Sequence, residues 1–184
     1  MEAKLNIFNA MRNYQEKALQ ITKNYANGAK TNTITGERYI LCDNATSDSG
    51  KSTVLAAVAD YFLSNPSIFQ ILDNKIYVLD RWAVVREIST GKVILVQTKG
   101  DIEGCYSKTL TYMLNKRNPM VDIIVCACHP NDSTHLLVET LAGKSFKLYY
   151  FSNFAIYKKP WIQPASTIVK NQLKDSIINI VKQL

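Results

Sequence analysis

Residues 41–62 read LCDNATSDSGKSTVLAAVADYF. The stretch leaves an apolar run, crosses small polar residues, reaches Gly50-Lys51-Ser52-Thr53 and enters an apolar pattern with helical spacing. Just upstream, RYILCD over 38–43 is short, apolar and followed by turn chemistry, which suits a buried strand. Downstream, Val54 to Leu63 reads as a helix closed by Ser-Asn-Pro-Ser. A strand, a glycine-bearing loop and a helix in that order can turn several backbone N–H groups toward one anion.

Ala45 to Ser52, ATSDSGKS, has the spacing of a Walker A loop in which Ala stands for the first Gly. Each position has a physical role in such a loop. Gly50 tolerates a positive φ, Lys51 bridges β- and γ-phosphates, and Ser52 ligates Mg²⁺. The N-terminus of the following helix adds partial positive charge. The expected phosphate cradle comprises Ala45, Thr46, Ser47, Asp48, Ser49, Gly50, Lys51, Ser52 and Thr53. The bland alternative is a polar turn capped by Ser52.

A nucleotide-bound Mg²⁺ also needs an acidic residue at the end of a neighbouring strand. Asp80 closes the apolar IYVLD but runs straight into the strand-like RWAVVRE, whereas Asp101 follows VILVQTKG where strand gives way to loop. Asp101 is the favoured ligand, with a helix N-cap ahead of GCYSKTL as its alternative role. Glu103 is placed to orient an attacking water, or is a helix-start acid. His129, after the strand-like DIIVCAC, could sense a terminal phosphate, or is a surface histidine before Pro130.

Outward from the loop, Ile7, Met11, Tyr14, Ala18, Ile21 and Tyr25 alternate spacings of four and three, predicting a helix within a lead-in over 1–36. RWAVVREISTGKVILVQTKGD contains two β-rich runs around Ser89-Thr90-Gly91-Lys92, an antiparallel hairpin. Tyr106 to Asn115 is helical, Asp122 to Cys128 a buried strand, Thr134 to Leu141 a short helix, and FKLYYFS the last core strand. From Ser166, the apolar positions Val169, Leu173, Ile177, Ile180 and Leu184 predict a closing amphipathic helix. The alternation predicts one α/β domain over residues 1–184, its sheet mostly parallel with one antiparallel hairpin inserted.

Composition narrows the class. A 47% hydrophobic and 20% charged chain is ordinary globular material. The N-terminal residues lack a signal peptide's apolar stretch, and uninterrupted apolar runs such as Ile123 to Cys128 are far too short to span a bilayer. A soluble cytoplasmic protein with no membrane partner is expected. Cysteines at 42, 105, 126 and 128 form no spaced framework, which suits free thiols in a reducing compartment. Cys126, Cys128, His129 and His135 are zinc-ligand types, but no second cysteine pair completes a set, and buried thiols are the simpler reading.

The net charge of +7 is lopsided: residues 1–142 carry 15 Lys/Arg against 14 Asp/Glu, whereas residues 143–184 carry seven Lys against Asp175 alone. Within that quarter, residues 146–163 interleave Phe146, Tyr149, Tyr150, Phe151, Phe154, Tyr157 and Trp161 with Lys147, Lys158 and Lys159. Stacking rings among cations suit single-stranded nucleic acid as a partner. Alternatively, the first four rings are core and Tyr157 to Trp161 form a loop over a nucleotide base.

Asp101-Ile102-Glu103-Gly104 resembles the Asp-x-x-Gly loop of P-loop GTPases, and the preceding hairpin is similar to their antiparallel pair. No Asn-Lys-x-Asp motif follows, the next strand ending CACHPND. A closer resemblance is to small bacterial P-loop ATP-binding proteins, over residues 38–184. It rests on Gly50-Lys51-Ser52, Gly100-Asp101, DIIVCACH at 122–129 and FSNF at 151–154. That resemblance implies a P-loop NTPase three-layer sandwich that binds ATP and Mg²⁺, with hydrolysis or phosphoryl transfer as its activity. The other functions the sequence allows are a nucleic-acid-binding accessory protein with a regulatory nucleotide site, and a small-metabolite kinase.

Overall fold

The computed structural model describes residues 12–13, 16–17, 19–20, 23, 36–45, 50–77, 80–99, 106–130, 133–143, 145–151 and 163–184, with side chains from 167 onward in the last stretch. Six strands form one sheet in the order β2-β3-β4-β5-β1-β6. Their bounds are β1 Tyr39–Asn44, β2 Phe69–Ile76, β3 Arg81–Glu87, β4 Val93–Gln97, β5 Ile123–Cys128 and β6 Lys147–Phe151. Four helices connect or follow them: α1 Lys51–Leu63, α2 Ser107–Leu114, α3 Ser133–Ala142 and α4 Gln163–Gln183. No helix among the described residues is long and apolar enough to cross a membrane.

β1 lies parallel between β5 and β6, and β4 is parallel to β5. β3 runs antiparallel to both β2 and β4, so it alone is reversed. The expected hairpin is β3–β4. It turns through Gly91 at φ 75°, where Gly91 N–H donates to Glu87 C=O at 2.8 Å and Glu87 N–H donates to Lys92 C=O at 2.9 Å.

Alternation along the strands divides the core into two layers, one on each side of the sheet. Leu41, Ile94, Val96, Ile123 and Val125 pack with Val54, Leu55, Val58 and Phe62 of α1 and Ile177, Ile178 and Val181 of α4. On the opposite face, Ile40, Cys42, Leu95, Ile124, Cys126 and Cys128 pack with Leu110 and Met113 of α2 and Leu137, Val138 and Leu141 of α3. β4 and β5 are buried along their whole length. Covering both faces removes the need for polar alternation, so their sequences are continuous apolar runs. The Ser64-Asn65-Pro66 stop behaves as its chemistry dictates. Ser64 N–H donates to Asp60 C=O at 2.9 Å, and Asn65 Nδ2 donates to Tyr61 C=O at 2.7 Å.

Several expectations need correction. β2 is an additional strand, ending at Ile76, the first residue of IYVLD, and Asp80 sits immediately before β3. β2 is an edge strand whose QILDNKI positions are intermediate or exposed, so it lacks the apolar run by which a covered strand announces itself. β6 is likewise an edge, with Tyr149 52% exposed, rather than a core strand. In α4 the buried residues are Ile177, Ile178 and Val181, and Ile180 is 45% exposed. Ile180 instead lines an apolar hollow of ≈ 240 Å³ between β6 and α4, with Leu41, Tyr149, Phe151 and Leu173. The N-terminal stripe of Ile7, Met11, Tyr14, Ala18, Ile21 and Tyr25 lies outside the described residues, although Arg12, Glu16, Leu19 and Lys23 near it are helical.

Candidate functional site

The carboxyl ends of β1, β5 and β4 meet the start of α1. β1 is followed by a helix on one face of the sheet and β5 by a helix on the other. Strand order therefore reverses between β1 and β5, the topological position at which open α/β sheets form a crevice.

Four of the cradle residues, Thr46, Ser47, Asp48 and Ser49, lie outside the described residues. The flanks are described. Ala45 is buried directly after β1. Gly50 stands at the N-cap of α1 in the left-handed region, φ 89° and ψ 14°, a backbone conformation that side-chain-bearing residues resist. Its carbonyl accepts the first helical bond, from Val54 N–H at 3.1 Å. Lys51 opens the helix, 7% exposed, and its Nζ donates to the Ala45 carbonyl across the base of the loop. Ser52 Oγ donates to the Thr98 carbonyl at 3.3 Å, tying the helix start to the end of β4. Thr53 points to solvent.

Thr98 is a junction that sequence reasoning did not single out. It is fully buried. Its Oγ1 accepts from Arg81 N–H at 2.8 Å and donates to Asp80 Oδ1 at 3.1 Å. Asp80 therefore approaches the same strand end as Ser52. Asp101 and Glu103 lie outside the described residues, as does Gly100. Of the two candidate carboxylates, the described one, Asp80, therefore lies beside Thr98.

The register Asn44↔Cys128 brings His129 level with Ala45, at the start of the loop. His129 is partly buried and its N–H donates to Thr134 Oγ1 at 3.0 Å, anchoring the β5 end to α3. Asp43, fully buried two residues before Ala45, shares its face of β1 with Leu41, the face toward α1. The sequence carries the signal for it, a charged residue at the end of the otherwise apolar RYILCD, but assigns it no role of its own.

Beneath the other face, Cys42, Cys126 and Cys128 are buried thiols outside any disulfide. Cys42 and Cys128 sulfurs are 3.3 Å apart, and the Cys128 thiol donates to Asn44 Oδ1 at 3.5 Å. Hydrogen bonds to Cys126 and Cys128, reinforced by burial, hold the Cys42 thiol far above its ordinary range. Cys42 is therefore a protonated thiol within a buried cluster. His135 is occupied nearby, its Nε2 3.2 Å from Glu139 Oε1 and its ring stacked on Tyr150 at 5.0 Å.

The basic C-terminal quarter does not form one stripe among its described lysines. Lys147 pairs with Glu37, Lys174 with Asp175 at 3.0 Å, and Lys182 Nζ lies 4.9 Å from the Tyr61 ring centroid. Lys170 reaches Gly50. Lys158, Lys159, Phe154, Tyr157 and Trp161 lie outside the described residues. No family model, curated protein or solved structure matches the chain.

Proposed function

We propose that the chain binds ATP at the loop between β1 and α1 and hydrolyses it or transfers its terminal phosphoryl group. The observation that carries this reading is the left-handed Gly50 followed by a Lys51 only 7% exposed. In an ordinary polar turn a lysine reaches water, since burying an ammonium is costly without dedicated partners. Here the ammonium is held against the Ala45 carbonyl at the other end of the loop. The arrangement pre-positions a cation beneath a set of backbone N–H groups at a helix N-terminus, which suits a polyphosphate.

The residues suit Mg²⁺ as well, because hard cations take hydroxyl and carboxylate oxygens. Ser52 Oγ lies at the end of β4, and Asp101 follows that strand three residues after Thr98. Bound there, Mg²⁺ would neutralise charge on the β- and γ-phosphates. Lys51 would neutralise the rest of the phosphate charge, and His129 and Glu103 would serve near the terminal phosphate, one from the end of β5 and the other from the loop after β4.

The test is thermal stabilisation by ATP with Mg²⁺. At a concentration 100-fold above Kd, binding stabilises by about 2.7 kcal/mol, a rise of roughly 5–11 °C for a chain of this length. Lys51→Ala should lose that rise, and a mutant titration matching wild type would remove the proposal. Phosphate release measured alone, with candidate acceptors, and with single-stranded nucleic acid then separates hydrolase, kinase and nucleic-acid-linked activities.

A further inference from the structure

We propose that Lys170, on the closing helix α4, is a second phosphate-binding cation of the loop. The inference rests on the nucleotide reading above and extends it to a residue outside the loop motif. A methyl group placed on Gly50 would lie 2.8 Å from Lys170 Cε and 3.2 Å from its Nζ. The ammonium thus sits over the one described glycine of the loop, on the same side of the sheet as α1.

Packing explains why it is there. Leu173, Ile177 and Val181 of α4 contact the α1 layer. Lys170 precedes them at the same three- and four-residue spacing, so it continues their stripe by one turn. The two helices advance together. Lys170 lies at Gly50, and twelve residues later Lys182 lies at Tyr61, 4.9 Å from its ring centroid. Where the α1–α4 interface runs out of apolar partners, at the loop, the stripe changes from leucine and isoleucine to lysine. A cation there serves no apolar packing. Lys51 approaches the loop from its base, bonded to Ala45, and Lys170 approaches at Gly50. A phosphate chain held by the Gly50 backbone would therefore contact two lysines delivered by two different helices. The ligand class implied is a polyphosphate of at least two linked phosphates, because the two lysines approach the loop at different places, Lys51 at Ala45 and Lys170 at Gly50, and linked phosphates offer oxygens to each.

Titration calorimetry with Mg²⁺ present, using ATP and inorganic tripolyphosphate as probes, tests this on four proteins. These are wild type, Lys51→Ala, Lys170→Met and Lys170→Arg. Lys170→Met keeps the aliphatic stem and removes the charge. It should weaken both probes by about tenfold, the scale of one lost charge-assisted contact. Lys170→Arg should recover most of that loss, and melting without ligand should match wild type. Wild-type affinity in Lys170→Met while Lys51→Ala fails to bind would overturn this inference and leave the nucleotide reading standing. Loss for ATP with tripolyphosphate unchanged would overturn it too, because Lys170 would then act on the nucleoside. Absence of binding to wild type would remove both readings.

Discussion

Replacing Gly50 by Ala isolates the physical content of the loop. Gly50 holds φ 89° and ψ 14° at the mouth of α1, and an L-residue in the left-handed region costs about 1–2 kcal/mol. A second cost is steric, since the new methyl would lie 2.8 Å from Lys170 Cε. That contact is with the far end of a flexible side chain, which can swing away. The steric share should stay below about 0.5 kcal/mol. Gly91 provides the control: its φ is 75° and a methyl there meets nothing within 4 Å, so Gly91→Ala carries the backbone penalty alone. Urea denaturation without ligand should place both variants about 1–2 kcal/mol below wild type, or roughly 2–8 °C in melting temperature. Gly50→Ala should be the slightly weaker of the two. Adding Lys170→Ala to Gly50→Ala should recover only the small steric part. A Gly50→Ala protein as stable as wild type, beside a destabilised Gly91→Ala, would refute the left-handed geometry from which the phosphate cradle is argued.

Two further outcomes follow from the buried polar groups. Thr98→Val removes the acceptor of Arg81 N–H and the donor to Asp80 Oδ1, so the urea midpoint should fall by an amount equivalent to about 1–3 kcal/mol; an unchanged midpoint would deny Thr98 its junction role. The bond from Ser52 uses the backbone carbonyl of residue 98 and should survive that change. Cys42 governs the alkaline limb of stability. Hydrogen bonding to its neighbour thiols and burial raise its folded pKa above the unfolded value, so its contribution is intact below the unfolded pKa and is lost as pH rises beyond it. The unfolded chain releases that proton from about pH 8.5, giving a decline of about 1.4 kcal/mol per pH unit once ionisation is complete. Denaturation curves from pH 7.5 to 10 should show this slope, and Cys42→Ala should flatten it despite a lower starting stability. An equal slope in both proteins would place the titration elsewhere.

Which features could be read in advance follows from how each is encoded. β1, β4 and β5 are covered on both faces, so burial itself wrote continuous apolar runs into RYILCD, VILVQ and IIVCAC. β2 is half-solvated at the sheet edge, and QILDNKI has neither run nor clean alternation to betray it. A bulge between Ile71 and Asp73 shifts its register as well. Gly50-Lys51-Ser52 was legible because local chemistry at fixed spacing defines it. Thr98 was not, because its role depends on Ser52, 46 residues away, and on the pairing Trp82↔Gln97 that brings β3 alongside. Lys170 was legible only as one charge in a basic segment. What distinguishes it from Lys174, one turn later, is the helix face that α4 presents to α1, which the predicted stripe meets at Leu173, Ile177 and Leu184 and misses at the exposed Ile180.

That face also decides what the C-terminal charge can do. Lys147 opens β6 opposite Tyr39, at the amino-terminal ends of the strands, while Lys170 meets the loop beyond their carboxyl ends. Five residues of strand separate those ends by about 16 Å. Lys170 and Lys182 are about 18 Å apart along the helix axis. Both separations exceed the Debye length of about 8 Å at physiological salt, so these lysines do not act as one field. Lys147 is further neutralised by Glu37, whose carboxyl the Lys147 hydrogen bond holds below its ordinary value. A polyanion needing a continuous basic track would gain little from Lys147, Lys170 and Lys182 together. A compact ligand at Gly50 meets Lys170 at once, and Lys51 beneath the loop. The described lysines of the last quarter therefore suit the proposed small phosphate chain better than an extended backbone. The nucleic-acid alternative then depends on Lys158 and Lys159, whose replacement by Glu would test it through the salt dependence of single-strand binding.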